Sequence, residues 1–524
     1  MCGRVFPIMG QKNAEASQEG VVDPLCPMKA RCVFQGSNIS TGDGRPAHEI
    51  FQEVGATPSN MCDACTANAC AALKKRRRTL RDAEQAHIQS DIDTPGRPST
   101  YVRLPITWWP KSWFNADGSK KYDDPVCLMR KSLCGHPESG PLWDKKMNKV
   151  MKKLGYMPLE SSPGVFYHPV HDCEVTVYVD DFIMYAPAHL EAKLWAELEK
   201  EITFKDPAVP LDRYLGVYHE FEVLKDGTEV MATHMTDFLV DAAKIYMKER
   251  GITTLPFVHT PYLEEKFDDS PNPTPGKMAS SCASHLMKVL CAARLCRGDL
   301  LVATTLLARR VSKWYADEDR RLERLMSYIF HHAGLRQYYT LHPDDCKTAV
   351  LVYSPDAELG GDLSSAKSTY GMWLALESAD GKRSWPLGWF CKKAGHTSCS
   401  TADSEVYACV GANDVCLKRE VIPTLEQIEI SLGRSVKLVC REDNTQAIAA
   451  VKRGYSPALR YLKRHTRCSL SFCHEVFFHD PDEGVAKYDA HMEYCASADQ
   501  QGDWMTKALE KGAFVAARTR AGIR

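Results

Sequence analysis

The sequence predicts a mixed α/β (α+β) protein of several domains, and three observations lead to this fold class. The chain has 524 residues, enough for about three or four domains of roughly 100 to 200 residues each. Two runs of β-branched and aromatic residues flank a pair of acids within residues 174–186, as in a β-hairpin. From residue 347 onward, strand-like segments are followed by alternating helical and strand-like segments, which favours a mixed sheet covered by helices.

The composition excludes several classes of protein. Hydrophobic residues at 44% and charged residues at 25% are ordinary for globular chains and argue against disordered or fibrous proteins. The net charge of −1 gives no overall attraction to nucleic acids or membranes, so any polyanion must bind local basic patches. No apolar run reaches the roughly 18 residues of a membrane span, and the 21 cysteines have no regular spacing. We therefore expect a soluble intracellular protein with free thiols and no membrane partner.

In the first half of the chain, helical and loop-like patterns alternate. Residues 1–28 have little periodicity and are predicted to be a poorly ordered lead-in. Small residues at 62–73 predict a helix that runs into the basic block 74–78. Prolines mark 90–122 as loops, and a helical rhythm returns at 142–154.

The second half begins with helices and continues with a mixed pattern. Leu, Val and Met recur at three- and four-residue steps between Ala283 and His332, which predicts helices. The acidic, proline-rich segment 263–276 before them is the best candidate for a linker. The later strands are predicted at 347–354, 368–376, 385–393, 436–443 and 487–495, and the later helices at 403–418, 444–454, about 459–478 and from 503.

Asp180 and Asp181 lie at the predicted turn of the hairpin. Adjacent carboxylates repel each other, and a hard divalent cation would relieve this repulsion. A solvated acidic turn is the alternative interpretation. A partner carboxylate from another segment is needed to decide between the two.

The sequence YVDD at 178–181 resembles the catalytic hairpin of reverse transcriptases, and its surroundings resemble the polymerase of copia-type LTR retrotransposons. The segments similar to that polymerase are KARCVFQG at 29–36, TYVRLP at 100–105, VCLMRKSLCGHPESGPLWDKKM at 126–147 and YLGV at 214–217. The segments similar to the ribonuclease H of the same elements are KSTYGMWLAL at 367–376, TADSEVYACV at 401–410, EDNTQAIAAVK at 442–452 and GDWMTKAL at 502–509. Together they follow the order of the family along most of the chain.

The resemblance implies a right-hand polymerase with fingers, palm and thumb, followed by a ribonuclease H-like domain with a mixed sheet. The implied domains are a lead-in at 1–28, fingers and palm at 29–262, a linker and helical thumb or connection at 263–340, the ribonuclease H-like domain at 341–510 and a tail at 511–524. The implied activity is that of an RNA-directed DNA polymerase (nucleotidyltransferase) with ribonuclease H (endonuclease) activity. Its partners would be an RNA template, a DNA primer, deoxynucleoside triphosphates and the RNA–DNA hybrid.

In the polymerase, the resemblance assigns three carboxylates as ligands of two Mg²⁺ (or Mn²⁺) ions, namely Asp82, Asp180 and Asp181. One ion would activate the primer hydroxyl while the other neutralises the triphosphate. Asp82 and Asp180 would be the main ligands; because neighbours on a strand point to opposite faces, only the turn can bring Asp181 inward as well. Arg31 matches a fingers residue that contacts the triphosphate, and a surface arginine is the alternative.

In the ribonuclease H, the resemblance assigns four acids as ligands of a second pair of ions, namely Asp356, Glu405, Asp443 and Asp503. Four acids that converge from separate elements would repel one another without metal. A basic cluster near this match could hold the hybrid by salt-dependent contacts. The members of this cluster are Arg460, Lys463, Arg464, His465 and Arg467.

The chain departs from the family pattern at three positions that bear on activity. His87 stands where a bulky aromatic residue usually excludes a ribose 2′-hydroxyl, Glu138 replaces a glutamine near the incoming triphosphate, and Pro355 is an extra residue beside Asp356. Because nothing before residue 29 resembles a protease or integrase, we expect the C-terminal part of a polyprotein or a separate fragment.

Two other functions remain open at this point. The first is a decayed or host-adopted copy that binds nucleic acid without catalysis, and the second is an unrelated, thiol-rich metal-binding scaffold. For the polymerase we expect a location in the cytoplasm, with or without an enclosing particle, or in the nucleus. The sequence does not decide whether the chain associates with itself.

Overall fold

The computed structural model describes residues 1–11, 28–39, 58–94, 98–263, 274–362, 365–411, 416–478 and 488–524. Most of the predicted linker at 263–276 lies outside these residues. The chain divides into two compact units: unit 1 is Met1–Ser59 with Thr79–Pro210, and unit 2 is Asn60–Arg78 with Leu211–Arg524. The domain boundaries implied by the resemblance differ from these limits and stay predictions.

Helices and strands are mixed throughout the described residues. The α-helices are α1 Met61–Lys74, α2 Ser139–Lys153, α3 Glu191–Glu199, α4 Thr236–Arg250, α5 Cys282–Leu295, α6 Leu301–Ala308, α7 Ala316–His332, α8 Thr401–Val410, α9 Ile422–Leu432, α10 Thr445–Arg453, α11 Leu462–His465, α12 Leu470–Phe477 and α13 Lys511–Arg520. The strands are β1 Cys2–Gln11, β2 Met28–Phe34, β3 Arg77–Asp82, β4 Tyr101–Arg103, β5 Val126–Leu128, β6 Met157–Pro158, β7 Val165–His168, β8 Cys173–Tyr178, β9 Asp181–Ala186, β10 Val209–Pro210, β11 Arg213–Tyr214, β12 Val217–Val223, β13 Glu229–His234, β14 Gln337–Leu341, β15 Val350–Asp362, β16 Lys367–Glu377, β17 Ser384–Lys393, β18 Leu438–Glu442 and β19 Ala490–Tyr494. The predicted mixed α/β class is confirmed.

Unit 1 is built around a six-stranded sheet in the order β10-β3-β9-β8-β7-β6. Helices α2 and α3 pack on it, and their apolar residues, such as Trp143 and Leu198, form one buried cluster with Val175, Phe182 and Met184 of the central strands. The central strands β8 and β9 are almost wholly buried, which explains why their sequence is nearly continuous in apolar residues.

A second sheet of unit 1 has the order β2-β1-β4-β5. It includes N-terminal residues that were predicted to be poorly ordered. The sequence predicted a poorly ordered lead-in at 1–28, but Cys2–Gln11 forms β1. This strand pairs antiparallel with β2 and parallel with β4, so backbone hydrogen bonds to two neighbours stabilise a segment whose local pattern is weak. Val5 is buried in the small core of this sheet.

Unit 2 contains the predicted mixed sheet, in the order β17-β16-β15-β18-β19. Strands β15, β16 and β17 pair antiparallel, whereas β18 and β19 run parallel to β15. Both faces are covered, because Met372 and Leu374 pack with helices that include α1, α8 and α10, while Trp373 and Ala375 pack with α5 and α6. This mixed arrangement was predicted from residue 347 onward and is confirmed.

The remaining part of unit 2 is largely helical, as predicted for 283–332. The last helix was predicted from residue 503, but only a short 3-10 helix lies at Asp503–Met505 and the α-helix begins at Lys511. Residues 511–524 were expected to be a tail, but α13 lies there and buries Phe514 and Ala517 against the helical core. The antiparallel sheet β11-β12-β13-β14 completes the unit. Among the described residues, no helix has the length and apolar character to span a membrane.

Candidate active sites

The predicted hairpin is present in unit 1, with a two-residue turn at its tip. Strands β8 and β9 pair so that Tyr178 lies opposite Asp181, which leaves Val179 and Asp180 as the turn. The sequence predicted both carboxylates within the turn, but Asp181 is the first residue of β9. Asp180 is exposed, whereas Asp181 is half-buried.

Val179 adopts a strained backbone conformation at this turn. Its φ of 57° lies in the left-handed region, which β-branched residues rarely adopt, and such a conformation costs on the order of 1–3 kcal/mol. The buried indole of Trp143 on α2 donates a hydrogen bond of 2.7 Å to the Val179 carbonyl oxygen and packs edge-on against Phe182. These contacts hold the turn in the conformation that positions the two aspartates.

Strand pairing brings Asp82 to the same hairpin. Asp82 is the last residue of β3, which neighbours β9, and the next backbone N–H, of Ala83, donates to the Asp180 carbonyl oxygen at 2.7 Å. The side chains of Asp181 and Asp82 are hydrogen-bonded to each other. Burial, followed by the charges of Asp180 and Asp82, raises the pKa of Asp181 to about 7. The structure thus brings together the three carboxylates predicted for the polymerase.

The other three predicted residues of the polymerase lie on separate segments of unit 1. Arg31 is exposed on β2, opposite Ile8 of β1. His87 is half-buried in a 3-10 turn over Ala86–Gln89, and its Nδ1 is buried without a hydrogen-bond partner among the described residues. Glu138 is half-buried immediately before α2.

Unit 2 brings together the four acids predicted for the ribonuclease H. Asp356 lies within β15 and Asp443 directly follows the neighbouring strand β18, while Glu405 lies on α8 and Asp503 begins a short 3-10 helix. Ligand atoms of Asp356, Asp443 and Asp503 all lie within 4.8 Å of one another. Asp356 and Glu405 are buried, with 1% and 4% of their surface exposed.

The structure adds a fifth acid, Glu442, which the sequence analysis did not select. Glu442, Glu405 and Asp443 form a second group whose ligand atoms lie within 4.8 Å, so Asp443 belongs to both groups. The strand pattern contained a signal for Glu442, because side chains alternate along a strand. Leu438, Cys440 and Glu442 share one face of β18, and each is at most 1% exposed.

The electrostatic state of this cluster follows from burial and like charge. Burial, followed by Glu442, Asp356 and Asp443, raises the pKa of Glu405 to about 11. Burial is also the main cause that raises the pKa of Asp356 to about 7 and that of Glu442 well above its usual value. A cation at this cluster would therefore displace protons from buried carboxyls.

Hydrogen bonds from neighbouring side chains fix the orientation of these acids. The Lys507 ammonium donates to Asp503 at 2.5 Å and to Asp356 at 3.2 Å, and the Thr506 hydroxyl donates to the other oxygen of Asp356. The Ser497 hydroxyl donates to Asp443 at 2.6 Å. Lys507 thus neutralises part of the negative charge on one side of the cluster.

The segment that carries Asp503 approaches β15 so closely that only glycine fits at position 502. A Cβ at Gly502 would lie 2.7 Å from the Cβ of Asp356 and 2.9 Å from the Ser354 carbonyl oxygen. Pro355, the extra residue noted in the sequence, pairs with Met372 of β16 at a point where the ladder with β18 has already ended at Tyr353. The interruption of that ladder accommodates a residue that has no N–H to donate.

Comparisons with known proteins find similarity to two retrotransposon proteins. No family model matches it. A protein of Saccharomyces cerevisiae named after transposon Ty5-1 is 23% identical over 315 residues, which cover 60% of this chain and 92% of that protein. The retrovirus-related Pol polyprotein from transposon TNT 1-94 of Nicotiana tabacum is 22% identical over 405 residues, which cover 75% of this chain but only 28% of the polyprotein.

These matches confirm the resemblance to retrotransposon Pol proteins that was drawn from the motifs. The copia type within these elements stays a prediction. Among solved structures, a foamy viral protease-reverse transcriptase in complex with RNA/DNA hybrid is 13% identical with a TM-score of 0.42, and the match covers 97% of this chain and 52% of that one.

Proposed function

We propose that this chain is the reverse transcriptase and ribonuclease H of a retrotransposon. One observation carries the proposal: two carboxylate clusters, in two different units, are assembled from the acids that the two sets of motifs select. Asp82, Asp180 and Asp181 form the first cluster, and Asp356, Glu405, Asp443 and Asp503 belong to the second. The relationship to a Pol polyprotein supports the same assignment.

The proposed right-hand arrangement maps onto the observed elements as follows. The sheet β2-β1-β4-β5 corresponds to fingers, the six-stranded sheet with α2 and α3 to the palm, and helices α5 to α7 to the thumb or connection. The mixed five-stranded sheet with α8 and α10 corresponds to the ribonuclease H.

The chemistry of both acid clusters fits divalent cations, with Mg²⁺ or Mn²⁺ as the cofactor and two ions in each site. In the palm, burial and then the nearby charges of Asp180 and Asp82 raise the pKa of Asp181. In the second cluster, Glu405 Oε2 and Glu442 Oε2 are buried without hydrogen-bond partners among the described residues. Hard oxygen ligands of this kind suit these cations. When bound, the ions would neutralise charge on the attacking and leaving oxygens of phosphoryl transfer.

The residues of this chain would act mainly by orientation. In the palm, Trp143 and the strained Val179 hold the turn that presents Asp180 to the primer end, and Asp82 is fixed by the pairing of β3 with the hairpin. Arg31 would contact the triphosphate through its guanidinium group, Glu138 would lie near the triphosphate, and His87 would line the sugar pocket of the incoming nucleotide. In the nuclease, Lys507 and Thr506 orient Asp356 toward the cleaved phosphodiester.

The proposed partners are an RNA template, a DNA primer, deoxynucleoside triphosphates and the RNA–DNA hybrid, without a membrane. Five basic residues around α11 are exposed and are available to contact hybrid phosphates, which would make binding salt-dependent. Those residues are Arg460, Lys463, Arg464, His465 and Arg467. The proposed location is the cytoplasm, with or without an enclosing particle, or the nucleus.

A catalytically decayed copy that only binds nucleic acid is the second candidate function. The departures His87, Glu138 and Pro355 favour it, because each alters a position next to a proposed site. A protein that binds hybrid but neither extends primers nor cleaves RNA would establish this alternative.

The test is primer extension on an RNA template and cleavage of an RNA–DNA hybrid, both with purified full-length protein. Because the two clusters lie in different units, Asp180→Asn should abolish extension and leave cleavage, whereas Asp443→Asn should do the reverse. Loss of both activities in either variant would contradict two independent sites. Absence of both activities in the unaltered protein would contradict the proposed enzyme.

A further inference from the structure

Glu442 is a buried acid of unit 2 to which the motif assignment gives no role. Only 1% of its surface is exposed, and its position on β18 directs it to the face that also carries Cys440 and Leu438. One carboxylate oxygen, Oε1, accepts a hydrogen bond of 3.0 Å from the Asn444 N–H. The other oxygen, Oε2, has no hydrogen-bond partner among the described residues.

A buried carboxyl with an unpartnered oxygen is costly to maintain. Moving a polar group from water into the protein interior without a hydrogen bond is unfavourable by on the order of several kcal/mol. A nearby like charge adds to this cost. Glu405 has the same property, since its Oε2 is also buried and unpartnered within the described part of the chain. Two such oxygens in one group of acids are explained if a ligand normally lies between them.

We propose that Glu442 is a fifth metal-binding carboxylate of the nuclease site and, together with Glu405 and Asp443, binds one divalent cation. Ligand atoms of these three residues lie within 4.8 Å of one another, a spacing that one ion can bridge. The oxygen-only donor set selects a hard cation such as Mg²⁺ or Mn²⁺. Asp443 also belongs to the group with Asp356 and Asp503, so it would contact both ions. The inference rests on the proposed ribonuclease H function and deepens it.

The role assigned to Glu442 differs from that of a purely structural residue. A structural acid stabilises the fold through its own partners, as Glu377 does through its 3.1 Å ion pair with Arg441 at another point of the same sheet. Glu442 instead lies among other acids, and no basic side chain among the described residues pairs with its Oε2. Its replacement by glutamine should therefore relieve repulsion when no metal is present and weaken metal binding when metal is added.

The experiment measures Mn²⁺ binding to the full-length protein by calorimetry, together with the melting temperature in EDTA. All proteins carry Asp180→Asn and Asp181→Asn, which remove two of the three palm carboxylates. Glu442→Gln keeps the shape of the side chain and the acceptor for the Asn444 N–H. Glu405→Gln serves as the variant of a motif-assigned ligand, and Glu377→Gln serves as the variant of a half-buried acid outside the site.

We expect Glu442→Gln to weaken one Mn²⁺ site by roughly tenfold or more, which corresponds to about 1.4 kcal/mol, and to melt in EDTA no lower than its parent. Glu377→Gln should lower the melting temperature without changing Mn²⁺ affinity. If Glu405→Gln weakens binding and Glu442→Gln does not, the role of Glu442 is overturned while the nuclease proposal stands. If neither variant changes Mn²⁺ binding, the proposed metal-dependent nuclease fails as well.

Discussion

At the residue scale, the two sites show different ways of holding carboxylates close together. In the palm, the hairpin turn contains a valine with φ of 57°, and Trp143 holds that turn through its 2.7 Å hydrogen bond. In unit 2, Lys507 bridges Asp356 and Asp503. A strained turn is costly in the folded state, and it is retained here at the point where two acids must be presented.

His87 allows a prediction about nucleotide selection. Its Nδ1 is buried and has no partner among the described residues, so the imidazole has an unused capacity to donate or accept a hydrogen bond. The imidazole is also smaller than a phenyl ring, so it would leave room for a ribose 2′-hydroxyl that a phenyl ring would exclude. We expect His87→Phe to raise the discrimination for deoxynucleotides by roughly tenfold or more, or about 1.4 kcal/mol of differential transition-state binding.

The measurement is kcat/KM for a deoxynucleotide divided by kcat/KM for the matching ribonucleotide, in both proteins. His136→Phe offers a comparison, because His136 is a buried histidine whose ring packs at a tilt against Phe34 and has no proposed contact with the sugar. Equal ratios for the original protein and His87→Phe would show that His87 does not line the sugar pocket.

At the scale of elements, strong local patterns predicted structure well and weak ones did not. The hairpin was predictable from its two runs of β-branched and aromatic residues, and the helices at 283–332 from apolar residues that recur at three- and four-residue steps. Strand β1 was missed and the last helix was predicted too early, from residue 503, since β1 depends on pairing with β2 and β4 and α13 on burial of Phe514. Both stabilising contacts come from distant segments, which a local pattern does not contain.

The same distinction applies to the site residues. The acids that carry family motifs were selected from the sequence, and the structure brings them together. Glu442 was missed because acids on a strand are ordinarily on its exposed face, and its neighbours Arg441 and Asp443 gave the segment a polar appearance. Alternation with Leu438 and Cys440 is the sequence signal that places Glu442 on the buried face.

Gly502 provides a test of how the 3-10 helix is positioned against β15. A Cβ at this position would meet the Cβ of Asp356 at 2.7 Å and the backbone carbon of Pro355 at 2.9 Å, so Gly502→Ala must displace the segment that carries Asp503. We expect hybrid cleavage to fall by roughly tenfold or more, since about 1.4 kcal/mol of lost transition-state stabilisation suffices. Primer extension should be unaffected.

The matched control is Gly512→Ala, because a Cβ at Gly512 on α13 meets nothing within 4 Å. This variant should retain both activities. If Gly502→Ala cleaves hybrid at the original rate, the close approach to β15 does not determine the geometry of the nuclease site.

At the scale of the whole molecule, the stability of unit 2 should depend on both pH and divalent cations. The charged neighbours of Glu405 are Glu442 and Asp443 at the end of β18 and Asp356 on β15. Lys507 supplies the opposing positive charge. The pKa values of Asp356 and Glu405 are raised to about 7 and about 11, chiefly by burial. In the unfolded chain these groups titrate near their ordinary values of about 4.

The sign of the pH effect follows from proton binding. Above about pH 4, the folded protein holds protons on these carboxyls that the unfolded chain has already released. The free energy of unfolding must therefore fall as pH rises through this interval, until each group reaches its folded pKa. Divalent cations oppose this fall in the free energy of unfolding, because they bind the ionised carboxylates of the folded protein and stabilise it by mass action.

We predict that, in EDTA, the melting temperature of the unit 2 transition falls between pH 5 and pH 8, and that Mn²⁺ reduces this fall. Glu405→Gln removes a buried carboxyl that keeps its proton in the folded protein and releases it on unfolding. The decline of this variant should therefore be shallower by at least about 2 °C, the shift that roughly 1 kcal/mol produces in a domain of this size. The measurement is calorimetry at several pH values with EDTA and with Mn²⁺. An identical slope in Glu405→Gln, or a melting temperature that rises with pH in EDTA, would show that the buried acids of this cluster do not control the stability of the unit.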